Sequence, residues 1–159
     1  MHMEDRNALL QRLDEAHGKM QAVLAGLNQQ MTIYPGWTIK HVLAHLIGWD
    51  EVATASLRAY TVGKEPGTPA IRSIDYYNAQ SVATREALSY EQNAREWELA
   101  HTGLKAALRA VPAEKLDVPL LYPWGPKGTV AQLVAIFADH EEEHAREIQA
   151  LKTRQAPRA

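Results

Sequence analysis

At 159 residues the chain is long enough to bury one hydrophobic core and too short for two ordinary ones, so a single domain over residues 1–159 is expected. Lys+Arg 17 against Asp+Glu 19 gives a formal net charge of -2 with no basic stripe, which argues against nucleic acid and anionic membrane as partners. The absence of cysteine excludes disulfides, thiolate metal sites and cysteine nucleophiles, and leaves any metal to nitrogen and oxygen ligands.

The opening "MHMEDRNALL" has no basic segment ahead of an apolar core, and no apolar run approaches the roughly 20 residues that span a bilayer, so a cytoplasmic location is expected. His2, beside the leading methionine, is given no role. From about Asp5 to Leu27, the residues Leu9, Leu10, Leu13, Met20, Val23, Leu24 and Leu27 recur at helical spacing and predict a first helix. A second helix is predicted from Ile39 to about Tyr60, with Thr38 as its cap and Trp37 and Val42 as a hydrophobic staple. The Gly- and Pro-containing stretch "TVGKEPGTPAIRS" then forms a loop long enough to cross along a bundle.

The third helical stretch begins at "IDYYN" and continues through "YEQNAREWELAHTGLKAALRAV", with a break expected near Ser89, where Ser89 and Gln92 form a capping-box pattern. "PAEKLDVPLLYPWGPKG" reads as a long irregular connection, and Thr129 with Gln132 opens a last helix running to about Lys152. With no strand-like alternation and no internal repeat, the economical fold is an all-α four-helix bundle.

In the last helix, "FADHEEEHAREI" carries two histidines four residues apart. At 100° per residue Val130, Leu133, Val134, Phe137, Ile148 and Leu151 form one apolar stripe, and the positions that continue it are His140, Glu141 and His144. Asp139, Glu142 and Glu143 fall on the other side and are expected to be solvated. Imidazole and carboxylate buried without partners cost a few kcal/mol each, a cost that a shared metal ion removes.

His45 of the second helix lies beside Val42, Leu46 and Trp49 and so also points inward. Its axial level is about 10 Å from the start of that helix, while His144 and His140 lie about 11 to 17 Å from the end of the last one. Antiparallel helices bring them level; parallel helices do not. Three neutral imidazoles with an open position suit zinc, nickel, iron or copper, and acidify a bound water.

The remaining candidates have blander readings. His41, at the third position of its helix, is expected to meet solvent or the capping turn, and His17 and His101 are expected at helix surfaces or edges. Trp49 either lines a pocket or fills the core, and Tyr122 and Trp124 either lid a cavity or cover the core. Asp50 and Glu51 are expected to be solvated charges.

"GWTIKHVLAHLIGWDE", with His45 eight residues after Trp37, and "TVAQLVAIFADHEEEHAREI" together resemble the DinB/YfiT-like superfamily, and the resemblance extends over nearly the whole chain. It implies an up-down-down-up bundle with its crossover in "TVGKEPGTPAIRS", a metal triad of His45, His140 and His144, and a homodimer. It also implies either metal-dependent hydrolysis or transfer and isomerisation that use a low-molecular-weight thiol such as mycothiol or bacillithiol. A branch resembling the colibactin self-resistance protein shares a segment like "LIGWDE" without needing the triad.

His140-Glu141-Glu142-Glu143-His144 also satisfies H-E-x-x-H, the zinc protease signature, which would make Glu141 a general base. Only 15 residues follow His144, and they hold neither a third histidine nor the glycine of the extended motif. The expected function is therefore a small-molecule metalloenzyme, a thiol-dependent transferase or a hydrolase, with a divalent metal (Zn, Ni or Fe) on His45, His140 and His144. Glu141 would orient a ligand or shuttle a proton. The alternative is a non-catalytic protein that sequesters a small molecule in the same bundle.

Overall fold

Side-chain caps start the helices where the sequence puts them. The Ser89 hydroxyl accepts the Gln92 N–H at 3.1 Å while the Gln92 amide oxygen accepts the Ser89 N–H at 2.8 Å, and Thr129 and Gln132 repeat the exchange at 3.0 and 3.1 Å. Each pair satisfies two of the backbone donors that a helix start leaves open. The computed structural model describes residues 3–155, so His2 lies outside the described residues. Its helices are α1 (Met3–Leu24), α2 (Ile39–Thr61), α3 (Ile74–Ala83), α4 (Tyr90–Ala110) and α5 (Val130–Gln155). The expected break at Ser89 thus separates α3 from α4. The first helix stops at Leu24, short of Leu27, and Gly26 follows it with φ 70, a left-handed conformation that glycine adopts without strain.

One element was not expected. The connection between α4 and α5 contains a short 3-10 turn at Ala113–Lys115 and two antiparallel strands, β1 (Leu120–Leu121) and β2 (Lys127–Gly128). Strands of two residues are too short to show alternation, so periodicity cannot find them.

Side-chain pairings give the helix directions. Asp14 meets His101 and Gln21 meets Glu98, so α1 and α4 are antiparallel. Arg12 meets Asp139 and Glu142, and Lys152 donates to the carbonyls of Val23 and Ala25, so α1 and α5 run parallel. His45 lies against His140, and Trp49 lies against Phe137, one turn earlier in α5, so α2 and α5 are antiparallel. The bundle is up-down-down-up, and the segment 62–73 makes the crossover.

The core divides into two apolar clusters. Leu13, Trp49, Leu57, Leu104, Leu133 and Phe137 belong to one, and Met20, Val42, Leu46, Trp97, Ala145 and Ile148 to the other. Between them lies a polar layer of His17, His45, Asp50, His101 and Glu141, all buried. The short α3 packs tightly on α2: a Cβ at Gly48 would collide with the Ser81 side chain, and the Tyr77 hydroxyl donates to the Gly48 carbonyl at 2.6 Å. That contact carries Ile74 and Asn78 over the His45 end of the layer. No helix among the described residues is long and apolar enough to cross a membrane.

Candidate metal centre

Helical phase turns His140 and His144 inward from α5, and the antiparallel α2 brings His45 to their level. His140 Nε2 lies 3.0 Å from His45 Nε2 and 3.0 Å from His144 Nε2, and a ligand atom from each of the three lies within 4.8 Å of the others. Nitrogens bound at about 2.0–2.1 Å to one tetrahedral ion stand about 3.3 Å apart, so the observed spacing fits a shared divalent cation.

Protonation points the same way. Burial, and then the neighbouring charges of His140 and His144, hold His45 down to about 3. Burial, and then His144, hold His140 down to about 4, and burial lowers His144 as well. Neutral imidazole is the form that binds a metal. Behind His144, Nδ1 shares a 2.6 Å hydrogen bond with the Tyr34 hydroxyl. Burial and then the neighbouring Glu147 push the Tyr34 phenol above its usual range, so Tyr34 keeps its proton.

Two openings reach the triad. One is a cavity of about 210 Å³ lined mainly by aromatic and aliphatic side chains, including Trp49 and Trp124. The other is a more open cleft of about 400 Å³ with Trp37, Glu143 and Glu147 on its walls. Trp49 therefore both belongs to the core and lines a cavity, and Trp124 walls that same cavity, whereas Tyr122 is buried beneath the connection.

Glu141 is not brought to the triad. Its Oε1 accepts the Trp97 indole N–H at 3.1 Å and lies 3.3 Å from His17 Nδ1, on the side of α5 that faces α1 and α4. His41 also stays apart: Nδ1 accepts the Thr38 N–H at 2.9 Å and Nε2 lies 2.9 Å from Glu86, so the ring closes the capping turn.

Several expectations are corrected. His17 and His101 are only 4% and 6% exposed, and their rings stack with centroids 3.8 Å apart. Both lie on apolar stripes, His17 between Leu13 and Met20 and His101 between Trp97 and Leu104, and this phase was a readable signal of burial. Carboxylates meet both rings: His17 Nε2 is 2.9 Å from Glu98, and His101 Nε2 is 2.9 Å from Asp14, although burial still outweighs Asp14 and lowers His101. Burial lowers His17, but Glu141 and Glu98 outweigh it and the net shift is upward.

Asp50 is buried, and burial followed by the charge of Glu141 raises its carboxyl well above the usual range. Only Glu51 of that pair is exposed, paired with Arg85 at 2.8 Å. Of the acidic residues expected to be solvated, Asp139 and Glu143 are exposed, whereas Glu142 is largely covered and meets Arg12 and Lys19 of α1.

Against known proteins, the family model described as the mycothiol maleylpyruvate isomerase N-terminal domain matches residues 9–141. No curated protein matches the chain by sequence. Among solved structures, mycothiol-dependent maleylpyruvate isomerase is similar with a TM-score of 0.76 and 15% identity over 90% of this chain; the chain spans only 60% of that protein. YfiT from Bacillus subtilis, described as a probable metal-dependent hydrolase with an unusual four-helix bundle topology, gives a TM-score of 0.74 at 19% identity, covering 97% of this chain and 89% of that one.

The colibactin self-resistance protein ClbS, solved in complex with a dsDNA, gives 0.78 at 15% identity, covering 95% and 97%. The fold is thus DinB/YfiT-like. The last likeness corrects the exclusion of nucleic acid. A protein of this fold does form a complex with duplex DNA, and net charge sums the whole surface whereas binding uses a local patch.

Proposed function

The chain belongs to the mycothiol maleylpyruvate isomerase N-terminal domain family, and from that premise we propose a small-molecule metalloenzyme, a thiol-dependent transferase or a hydrolase, centred on His45, His140 and His144. The observation that carries this reading is the convergence of three inward-facing, neutral imidazoles, with His140 Nε2 3.0 Å from the Nε2 atoms of both His45 and His144. A divalent ion such as zinc, nickel or iron, held there with an open position, would supply the Lewis acidity that makes a water or a thiol ionise near neutral pH. Such a thiol would provide the nucleophile that a cysteine-free chain lacks, and the reduced thiol pool it needs fits a cytoplasmic setting.

The chain's own side chains have distinct tasks. Tyr34 fixes the ring of His144 through Nδ1, so that Nε2 faces the other two ligands. Glu143 and Glu147, on the walls of the open cleft, are the carboxylates we assign to accept the proton from an entering water or thiol. Glu141, held by Trp97 and His17, sets the rotation of α5 and through it the aim of His140; in this reading it is a positioning residue and does not meet the reactants.

The test is metal content of protein purified without a histidine tag. One equivalent of zinc, nickel or iron per chain is expected, with turnover in a screen of low-molecular-weight thiols and electrophiles, or of esters and amides, that a chelator abolishes. Failure to take up any stoichiometric metal sinks the reading. The sequestering alternative draws on the apolar cavity, and is favoured if apolar small molecules bind while no metal does. A narrower prediction concerns Tyr34: Tyr34→Phe is expected to weaken zinc binding about 10- to 100-fold, the usual cost of losing an outer partner of a metal-bound histidine. Chelator competition measures it, and an unchanged affinity would reduce Tyr34 to a packing role.

A further inference from the structure

The cavity of about 210 Å³ has a chemistry of its own. Three rings in mutual contact form one wall of it: Trp49 lies 6.3 Å from Phe137 and 6.0 Å from Trp124, and Trp124 lies 6.5 Å from Phe137. The Trp49 indole N–H is committed to Asn78 Oδ1 at 2.7 Å, so that ring offers the cavity an apolar surface. Ile74 and Ile136 stand at the rim, 47% and 44% exposed. Large aliphatic side chains left in water at the mouth of an aromatic cavity are the pattern of a small-molecule site, since an occupant would cover them.

Size narrows the occupant. An apolar cavity of about 150 Å³ accepts benzene, so this one accommodates a single aromatic ring with a short substituent. Direction narrows it further, because His45 and His140 line the cavity while the acidic cleft of Glu143 and Glu147 approaches the same triad separately. A ring seated against the aromatics would leave that second approach free for a polar co-reactant. Asn78 lines both spaces, so its amide stands beside the path by which a polar substituent would reach the triad.

We infer that the cavity binds a small molecule carrying one aromatic ring, packed against the wall formed by Trp49, Trp124 and Phe137 with its polar substituent facing His45 and His140. This names the substrate class of the proposed enzyme. It rests on the metalloenzyme reading for what the substituent meets, and on the cavity alone for the ring.

The experiment compares benzohydroxamate with acetohydroxamate on zinc-loaded protein by calorimetry, in the wild type, in Trp124→Ala and in Ile136→Asp. The last of these alters an exposed position and should leave folding intact. The aryl ligand is expected to bind about tenfold more tightly or better, from the apolar area it buries. Ile136→Asp should cut that preference to about threefold or less, the ratio of aryl to alkyl affinity on the zinc-loaded variant being what the comparison reads. Equal affinities in the wild type, or a preference that survives both substitutions, overturn the inference.

If zinc does not bind, the metalloenzyme reading fails by itself and the cavity is judged with toluene as the probe. Shifts of the Trp49 and Trp124 indole resonances that are lost in Ile136→Asp support the ring site, and absence of shifts overturns it. A change of oligomeric state in Ile136→Asp with the aryl preference intact assigns the mouth to a second copy of the chain, and also overturns it.

Discussion

Replacing His45 by alanine is expected to lower zinc affinity by two to three orders of magnitude and to abolish any metal-dependent turnover. Zinc sites in small proteins are worth about 10–16 kcal/mol over four ligands, so one ligand accounts for about 3–4 kcal/mol. His45 is the only triad member from α2. Without it the remaining ligands are a histidine pair on α5, held by a single helix and open to solvent on one side. Competition with a coloured chelator at neutral pH reads the affinity, and far-ultraviolet circular dichroism checks that the helices persist. Wild-type affinity in a folded His45→Ala protein would remove the triad from the metal. His140→Ala and His144→Ala should fall in the same range, whereas His41→Ala, which touches only the capping turn and Glu86, should leave zinc binding unaltered.

The second large effect is acid lability of the metal-free protein. With His45 held near 3 and His140 near 4 in the folded state, against about 6.5 for an unfolded histidine, the unfolded chain binds more protons throughout the interval between. The stability associated with these groups is therefore fully present above about pH 6.5 and is lost as pH falls toward 3. His17 works in the opposite sense: its raised value makes its contribution complete below about 6.5 and lost as pH rises through its folded value. Asp50, also raised, likewise favours the folded state as the solution is acidified toward the ordinary carboxylate range. His144 and His101, also held low, act in the same sense as His45 and His140, and a net loss of stability is expected as pH falls from 7 to 4. Urea melts across that range measure it. His140→Leu, which takes one of these imidazoles away, should make the profile less steep; an equally steep profile would mean that the acid response arises elsewhere in the chain.

Much of the candidate site is written in local pattern. The inward turn of His140 and His144 follows from the stripe that runs through Leu133, Phe137 and Ile148, and that of His45 from Val42, Leu46 and Trp49. Capping chemistry at Ser89 and Thr129 set helix starts that the structure repeats. Glu141 shows where such reading ends. It shares the inward arc with His140 and His144, yet its carboxylate reaches Trp97 and His17 while the imidazoles reach α2. A helix packed between α1 on one side and α2 on the other has two inward faces, and one stripe in a sequence cannot tell them apart.

The second polar set was missed for a related reason. His17 and His101 carried the helical phase of core residues, but each stood without a partner in its own segment. Only when α1 and α4 lie antiparallel do the two rings stack, with Asp14 and Glu98 at their edges.

By itself, the sequence determined the quantities that repeat along one helix: which residues are apolar every third or fourth position, which side chains cap a first turn, and which histidines face inward. Tertiary structure alone decided which inward faces meet. The antiparallel approach of α2 and α5 drew three imidazoles into one cluster, and the docking of α3 and the β1–β2 ribbon over Trp49 enclosed a cavity beside it. The division is physical, because helical phase follows from 3.6 residues per turn wherever the chain goes, while a site shared between helices depends on their relative rotation, depth and direction, which only the packing of the whole core fixes.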